Sequence, residues 1–566
     1  MTATFRSDRP TGIGWVLWIA AATLPWLQPV HEHPWPAFYS EALAAAVMVP
    51  IALWVLWKGH RDGWALDGAS ATLLAAAVVA VAQIGLGLYV FPGEAWLVAL
   101  YLTGLSVTVM VARNAQRSAP LMLADALFAS LAIASLASAG MMFYQWTGQD
   151  WLGAMVPVAR SAGRVQANLG QPNNAATLLC WGMIAIWWGF ARGKVGRFPA
   201  VLAIGFLLVA LALTRSRTGW LEVAVLAAAA IHWRRRAALA PALVTVAALA
   251  AAFVLVAASL DHLTRSIDGG TTEAMRAQWA AGRRPLIWRL ALDEIVQRPW
   301  FGYGWNQGVP AHMQVVEQSA GVQTTVQHAH SVVLDLMVWN GVPIALLLMS
   351  AIGYWAIRQW RACQTDHQRL LLLALLILLV HALLELPHAY LFFLLPAALM
   401  IGTLSAMEGE THLLAVPRAV AAVVTVGLAA SIAIAFDDYR QIERDAMAAK
   451  LRAANIHNPS PTSPPNPLIL GYLQTALQQL RAEPSDGSAA DLAALRRTLE
   501  RYPSLGGMVR YAQSSALHQK PREASWALTR LCLLNDRPTC ETVLQGWRDM
   551  ARTSPAMAAV ELPAVP

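Results

Sequence analysis

The stretch "TTVQHAHSVVLDLMVWNGVPIALLL" puts two imidazoles, His328 and His330, directly ahead of a long apolar run. Histidine titrates near neutral pH, so an imidazole at a membrane–water boundary is a natural general base. His-x-His is also a metal-ligand pattern, but no neighbouring Cys completes a set, and the pair alone is weak grounds for a metal. Asp335 lies five residues beyond His330. That is about a turn and a half deeper in the run, a position that does not favour contact with His330.

Three other clusters carry polar groups at the ends of apolar runs. "RVQANLGQPNNAATLL" holds Arg164, Asn168, Gln171, Asn173 and Asn174. Pro172 followed by two Asn predicts a turn and a helix N-cap. Capping accounts for one Asn, and ordinary loop polarity competes with a ligand role for the others. "LTRSRTGW" places Arg215 and Arg217 in a tight connection. In "GRRPLIWRLALDEIVQRPWFGYGWNQG" the spacing of Leu286, Ile287, Leu290 and Ile295 predicts an amphipathic helix outside the membrane. Arg283, Arg284 and Arg289 lie at its start, and Pro with two glycines ends it. Lipid headgroups suit such a helix; plain surface packing is the alternative. One further segment, "HALLELPHAYLFFLLP", breaks at Pro387, with Glu385 before the break and His388 and Tyr390 after it. A carboxylate at membrane depth is costly without a partner, so Glu385 is expected to orient an imidazole or neutralise an Arg.

The elements that position these groups are membrane spans. The 566-residue chain is 57% hydrophobic and 13% charged, with mean hydropathy +0.46; soluble domains carry about 25% charged residues. Apolar runs long enough to cross about 30 Å of hydrocarbon recur to about residue 436. Only helices satisfy their own backbone in lipid from such runs. The fold class is therefore all-α, a polytopic helical membrane protein. Thirteen spans are predicted, at about 12–29, 38–57, 70–91, 95–112, 121–146, 174–191, 198–214, 217–233, 239–259, 331–357, 370–386, 389–407 and 417–436. The first run lacks a clear small-residue cleavage site and is read as a span. No phosphate-binding G-x-x-x-x-G-K-[ST] occurs, which argues against an ATP-driven pump. The net charge of +8 does not by itself argue for nucleic acid, because many of the Arg residues flank spans.

Charge assigns sides. The N-terminal tail (Arg6, Arg9) and the even-numbered connections hold Lys58 and Arg61; Arg113 and Arg117; Arg192, Lys194 and Arg197; Arg234, Arg235 and Arg236; Arg358, Arg361 and Arg369; and Arg418. The positive-inside rule places these in the cytoplasm. The connections at about 147–173 and 260–330, and the tail from 437, are then external. So are both histidines and the Arg215–Arg217 pair. An Arg pair on the side that the bias disfavours asks for an external anion; snorkelling to headgroups is the competing reading. Polar residues gathered on one face disfavour a transporter, which places them mid-membrane.

The expected organisation is an N-terminal bundle at 1–259, a large external loop at 260–330 with the amphipathic helix and His330, C-terminal spans at 331–436, and an external domain at 437–566. "NPSPTSPPNP" at 458–467 is a Pro-rich hinge. Short amphipathic stretches follow, in the style of tetratricopeptide pairs without a clean repeat. Such pairs bind peptides or proteins, or form a simple stabilising cap. Cys532 and Cys540 flank the turn "NDRPT" in a compartment read as oxidising and are expected to pair.

Taken together, "NLGQPNNAATLL", "SRTGW", "RRPLIWRLALDEIVQRPWFGYGW", "HAHSVVLDLMVWNGV" and "LLELPHAYLFFLLPAALMIG" resemble the O-antigen ligase and polymerase superfamily. More closely they look like bacterial protein O-oligosaccharyltransferases that glycosylate pilins and other periplasmic proteins. The resemblance covers about residues 164–405. It implies that His330 is the essential imidazole, with His328 secondary. It implies that Arg217 and Arg284 hold the donor diphosphate. Arg215, an extra charge, and Arg289 are grouped with them. Gln171 and Tyr390 would contact donor or acceptor, with Asn168 and Glu385 beside them. Where the family often has Asn after this His, here stands Ser331. The implied donor is an undecaprenyl-diphosphate-linked oligosaccharide at the outer face of the bacterial inner membrane. The implied acceptor is a protein such as a pilin, and no cofactor, metal or nucleic acid is implied. An O-antigen ligase acting on lipid A core, a polymerase, and a non-enzymatic lipid-linked glycan transporter are the alternatives.

Overall fold

The structure, a computed structural model, describes residues 12–58, 63–157, 164–233, 235, 248–259, 282, 284–318, 322–409, 412–456, 465–481 and 489–565. Arg6, Arg9, Arg61, Arg234, Arg236, Arg283 and most of the Pro-rich stretch at 458–467 lie outside the described residues. The chain divides into two compact units: one of residues 1–71, 104–281 and 353–429, the other of 72–103, 282–352 and 430–566.

The helices follow the apolar runs. They are α1 (Ile13–Leu27), α2 (Phe38–Lys58), α3 (Gly68–Gly85), α4 (Pro92–Ser118), α5 (Met122–Trp146), α6 (Pro172–Ala191), α7 (Arg197–Leu213), α8 (Arg217–His232) and α9 (Ala248–Ser259). Then come α10 (Arg284–Gln297), α11 (Gly308–Val315), α12 (Val332–Ala362), α13 (Asp366–Leu384), α14 (Leu391–Glu408) and α15 (Arg418–Ala453). The tail forms α16 (Gly471–Gln479), α17 (Ala489–Arg501), α18 (Leu505–Leu517), α19 (Pro521–Leu534), α20 (Arg537–Ala551) and α21 (Pro555–Ala558). Among the described residues nine helices are long and apolar enough to cross a membrane: α2 to α6 and α12 to α15. Shorter apolar helices, α1, α7 and α9, accompany them. The protein is a polytopic all-α membrane protein; its only described ladder is β1 (Trp64–Leu66) against β2 (Leu414–Val416).

In the first unit α6 is the hub. Thr177, Leu178, Leu179, Cys180 and Trp181 are fully buried, because α5, α7, α8 and α13 pack around it. Small residues bring backbones together: a Cβ on Gly182 would lie 2.0 Å from Ser135 Oγ, and one on Gly402 would lie 2.2 Å from the Val109 carbonyl. Trp26 meets Trp181, Phe392 and Phe393 edge to face. Arg113 departs from the sequence expectation. It was placed in a cytoplasmic connection, yet it lies inside α4, buried, 3.0 Å from Asp67. Asp67 also accepts from Ser70 N at the start of α3. The ion pair carries the helix beyond the apolar run, since a buried guanidinium needs its carboxylate.

In the second unit the tail helices share one apolar core, including Leu499, Tyr511, Leu528, Leu531 and Trp547, with Val309, Met313 and Val316 of the α11 region. A buried ion pair fastens α4 to the tail. Glu94 Oε1 accepts from Arg501 Nε at 2.8 Å and from the Tyr502 hydroxyl at 2.9 Å, and its Oε2 accepts from Gln307 Nε2 at 2.8 Å. Cys532 and Cys540 are bonded as expected, with Cα atoms 4.8 Å apart, joining α19 to α20. Closing so short a loop should contribute about 2 kcal/mol in the chain-entropy account. Replacing both cysteines by Ser should lower the thermal midpoint of the tail. In cells, alkylation should label neither thiol without reductant; free labelling of both would contradict the bond.

Candidate functional site

The histidine segment belongs to the second unit and is held from three sides. First, α12 is broken at Gly341, whose φ of 74° is open to glycine and rare for other residues. The turn after α10 fills the break: Tyr303 N and Gly304 N donate to the Val338 and Trp339 carbonyls, both at 2.9 Å, and Val342 N donates to the Pro299 carbonyl at 2.7 Å. A Cβ on Gly302 would lie 2.5 Å from the Val338 carbonyl, so the glycines of "RPWFGYGW" permit backbone-to-backbone docking. Second, buried Gln83 of α3 binds both partners of this joint, donating to the Trp339 carbonyl and accepting from Trp305 N. Third, α11 backs the loop itself. A Cβ on Gly308 would lie 2.0 Å from the Gln327 carbonyl. His312 Nδ1 accepts from Val326 N at 3.1 Å.

Burial pushes His312 down to about 4, so it stays neutral. Between about pH 6.5 and 4 the unfolded chain takes up a proton that the native state refuses. The stability it contributes is therefore complete above pH 6.5 and is lost as pH falls through that window. At about pH 5 the loss is roughly 2 kcal/mol. Thermal unfolding at neutral pH and about pH 5 should show a smaller acid loss in His312→Gln than in the wild type.

On this support His328 Nδ1 lies 3.3 Å from Asp335 Oδ2, and Asp335 Oδ1 accepts from Ala329 N at 2.7 Å. A carboxylate only accepts, so Nδ1 carries the proton in this contact. The Asp-oriented imidazole is thus His328. His330 sits two residues on, half-buried, with φ of 53°. His visits the left-handed region more readily than most residues, and held backbone strain of this kind clusters at active sites. Glu294 of α10 lines the same niche as His328 and Asp335. Burial, then the nearby charges of Asp335 and Asp293, pushes its carboxyl well above the ordinary range.

Of the arginines on α10, Arg284 is half-buried at the first turn, near the edge of the Ile287–Leu290–Ala291–Glu294 stripe. Arg289 lies about 140° round the helix from it and is exposed, away from the niche.

The first unit assembles the other polar cluster. Asn173 Nδ2 donates to Glu385 Oε1 at 2.7 Å, and Gln171 Nε2 donates to Oε2 at 3.4 Å. Asn173 Oδ1 accepts from Ser216 Oγ at 2.7 Å, and Ser216 caps α8 by accepting from Gly219 N at 2.9 Å. This chain fixes the "TRSRTGW" turn. Arg215 there is buried with φ of 51°, and Arg217 is exposed at the first position of α8. Arg164 Nε donates to the Thr214 carbonyl at 3.0 Å and braces the same turn. Tyr390, beside the Pro387 break, stacks on Phe392 and lies near Asn174 and Glu385. Gln171 and Glu385 are therefore joined at the α6 N-terminus, with Tyr390 beside them. Asn168 stands apart: its amide donates to the Leu27 and Met155 carbonyls at 2.6 and 2.9 Å, which is a positioning role.

Four participants escaped the sequence reading. Asp335 was seen but paired with no histidine, and Glu294 and Gln83 carried no motif. The fourth is a buried triplet: the Thr177 hydroxyl donates to Glu222 Oε1 at 2.6 Å and accepts from His381 Nδ1 at 2.8 Å. Glu222 and His381 were each a lone polar residue in an apolar run, which was signal enough to mark them.

A family model described as O-Antigen ligase matches residues 200–349. A second, described as Virulence factor membrane-bound polymerase, C-terminal, matches residues 369–534. A General O-oligosaccharyltransferase from Acinetobacter baylyi is 29% identical over 415 residues, which are 70% of this chain and 71% of that protein. A ComP-specific O-oligosaccharyltransferase from the same organism is 25% identical over 243 residues, 43% of this chain and 44% of its own. No solved structure matches. The first matched region contains Arg215, Arg217, Arg284, Arg289, His328 and His330; the second contains Glu385, Tyr390 and most of the tail.

Proposed function

The chain belongs to the O-antigen ligase superfamily, among its O-oligosaccharyltransferases, and from that premise we propose that it moves a preassembled oligosaccharide from undecaprenyl-diphosphate to Ser or Thr hydroxyls of periplasmic proteins such as pilins. The single observation that carries this reading is the likeness to the General O-oligosaccharyltransferase over 70% of the chain, a stretch most of whose length lies beyond any one motif. The reaction takes place at the outer face of the inner membrane, where the sequence bias puts both histidines and the Arg pair.

In this scheme the acceptor oxygen attacks the anomeric carbon. The bond from that carbon to the phosphate oxygen breaks, and the lipid diphosphate leaves with its electron pair. His330 takes the hydroxyl proton. His328, steadied by Asp335, orients the acceptor beside it. Arg217 and Arg284 meet the charge that grows on the diphosphate, and Arg215 and Arg289 add to the positive field. Gln171, Glu385 and Tyr390 contact donor or acceptor, with Asn168 holding their loop.

Arg→Lys keeps charge but loses the fork. Arg217→Lys and Arg284→Lys should each reduce turnover by about tenfold or more. Full activity in both would leave these residues as mere anchors of the fold. A lipid A core acceptor remains the second reading, favoured by the O-Antigen ligase description of residues 200–349. Purified protein offered donor, a pilin-type acceptor and core lipid together should glycosylate the protein; exclusive transfer to the lipid would overturn the first reading.

A further inference from the structure

The second unit contains a cavity of about 490 Å³ walled by the end of α10, the segment before α4, and tail helices α17 and α19. That volume is in the range of ligand sites. Four guanidiniums line it, those of Arg298, Arg496, Arg497 and Arg530, against one lining carboxylate, Glu500. Three lie over aromatic rings: Arg496 over Trp526 at 3.4 Å, Arg530 over the same ring at 4.7 Å, and Arg298 over Tyr303 at 4.7 Å. A guanidinium over a ring still has N–H groups to offer an acceptor. Arg496 already has Glu500 and Glu523, and Arg530 has Glu317. Arg298 and Arg497 are exposed and have no carboxylate within ion-pair distance among the described residues. The cavity is thus short of negative charge and lined by N–H donors.

We propose that this cavity binds an acidic peptide segment, and that the segment belongs to the acceptor protein. Charge complementarity names the carboxylates. The helical wall favours peptide, and the Trp526 and Tyr303 faces that would stack on a sugar are covered by guanidiniums. The location supplies the reason. Glu294 lines the His328 niche and Arg298 lines the cavity, on one helical path. Four residues of rise is about 6 Å. A protein held by its acidic segment here keeps its neighbouring hydroxyls close to the histidine segment. This second step rests on the proposed transfer to protein.

The test uses the full chain in detergent and a fluorescent peptide alternating Glu and Gly, with a Lys–Gly peptide as control. The acidic peptide should bind and the basic one should not. Arg298→Glu with Arg497→Glu, both exposed, should weaken acidic binding about tenfold or more. The same variant should raise KM for an acceptor with acidic flanks. Equal binding of both peptides, or no effect of the double variant, would overturn the proposal. Displacement by a galacturonic acid trimer but not by unlabelled peptide would overturn the peptide assignment. Because the binding assay contains no donor, intact peptide binding without protein glycosylation refutes the transfer reading alone. Glycosylation without peptide binding refutes this inference alone.

Discussion

His330→Ala should abolish oligosaccharide transfer, a loss of about a thousandfold or more, while the protein still inserts and binds its lipid donor. General-base catalysis contributes about 10²–10⁴-fold, and no other group stands at the same place in the chain to replace it. Fold loss is the alternative cause, and the backbone separates the two. His330 has φ of 53°, a conformation that costs Ala something and Gly nothing. His330→Gly should therefore be at least as stable as the wild type and equally inactive. His328→Ala should lose less, because the Asp335-bound ring orients rather than receives the proton. If His328→Ala were dead and His330→Gly active, the roles would be exchanged, and the hydrogen bond from His328 to Asp335 would mark the true base.

Arg501→Ala should destabilise the second unit by about 3–5 kcal/mol, the cost of stranding a buried charge. Glu94 and Arg501 are each 5% exposed, and Glu94 also takes Tyr502 and Gln307. Removing the guanidinium leaves a buried carboxylate with only neutral donors. Gln307 immediately precedes α11, which packs against the histidine loop, so the loss should reach activity as well as stability. Glu94→Gln with Arg501→Leu should recover part of the stability, since neutralising both partners removes the stranded charge. Proteolysis of the tail and thermal unfolding read both effects; an unchanged midpoint in Arg501→Ala would show that the pair contributes nothing.

The spans were legible because hydropathy alone sets their length. α2, α5 and α6 agree with the expected runs to within about two residues. Where a helix outran its apolar run, a specific contact was responsible. α4 continues to Ser118 with Arg113 paired to Asp67, and hydropathy does not register a partner 46 residues away. Two candidate clusters were legible as residue types at the ends of spans: His328 and His330 in one unit, and Arg215, Arg217, Gln171, Glu385 and Tyr390 in the other. The wiring within each was not. That Asp335 serves His328, seven residues earlier, depends on the loop curling back over α12, and that Asn173 ties Glu385 to Ser216 depends on α6, α8 and the Pro387 break meeting in space. Glu294 needed the burial of α10 to become informative.

The most direct test is to express the chain in cells that make a defined undecaprenyl-linked oligosaccharide and to analyse periplasmic proteins by mass spectrometry. The account predicts peptides carrying the whole oligosaccharide on Ser or Thr, absent from cells expressing His330→Ala. Unmodified proteins, with the oligosaccharide appearing instead on lipid A core, would contradict it.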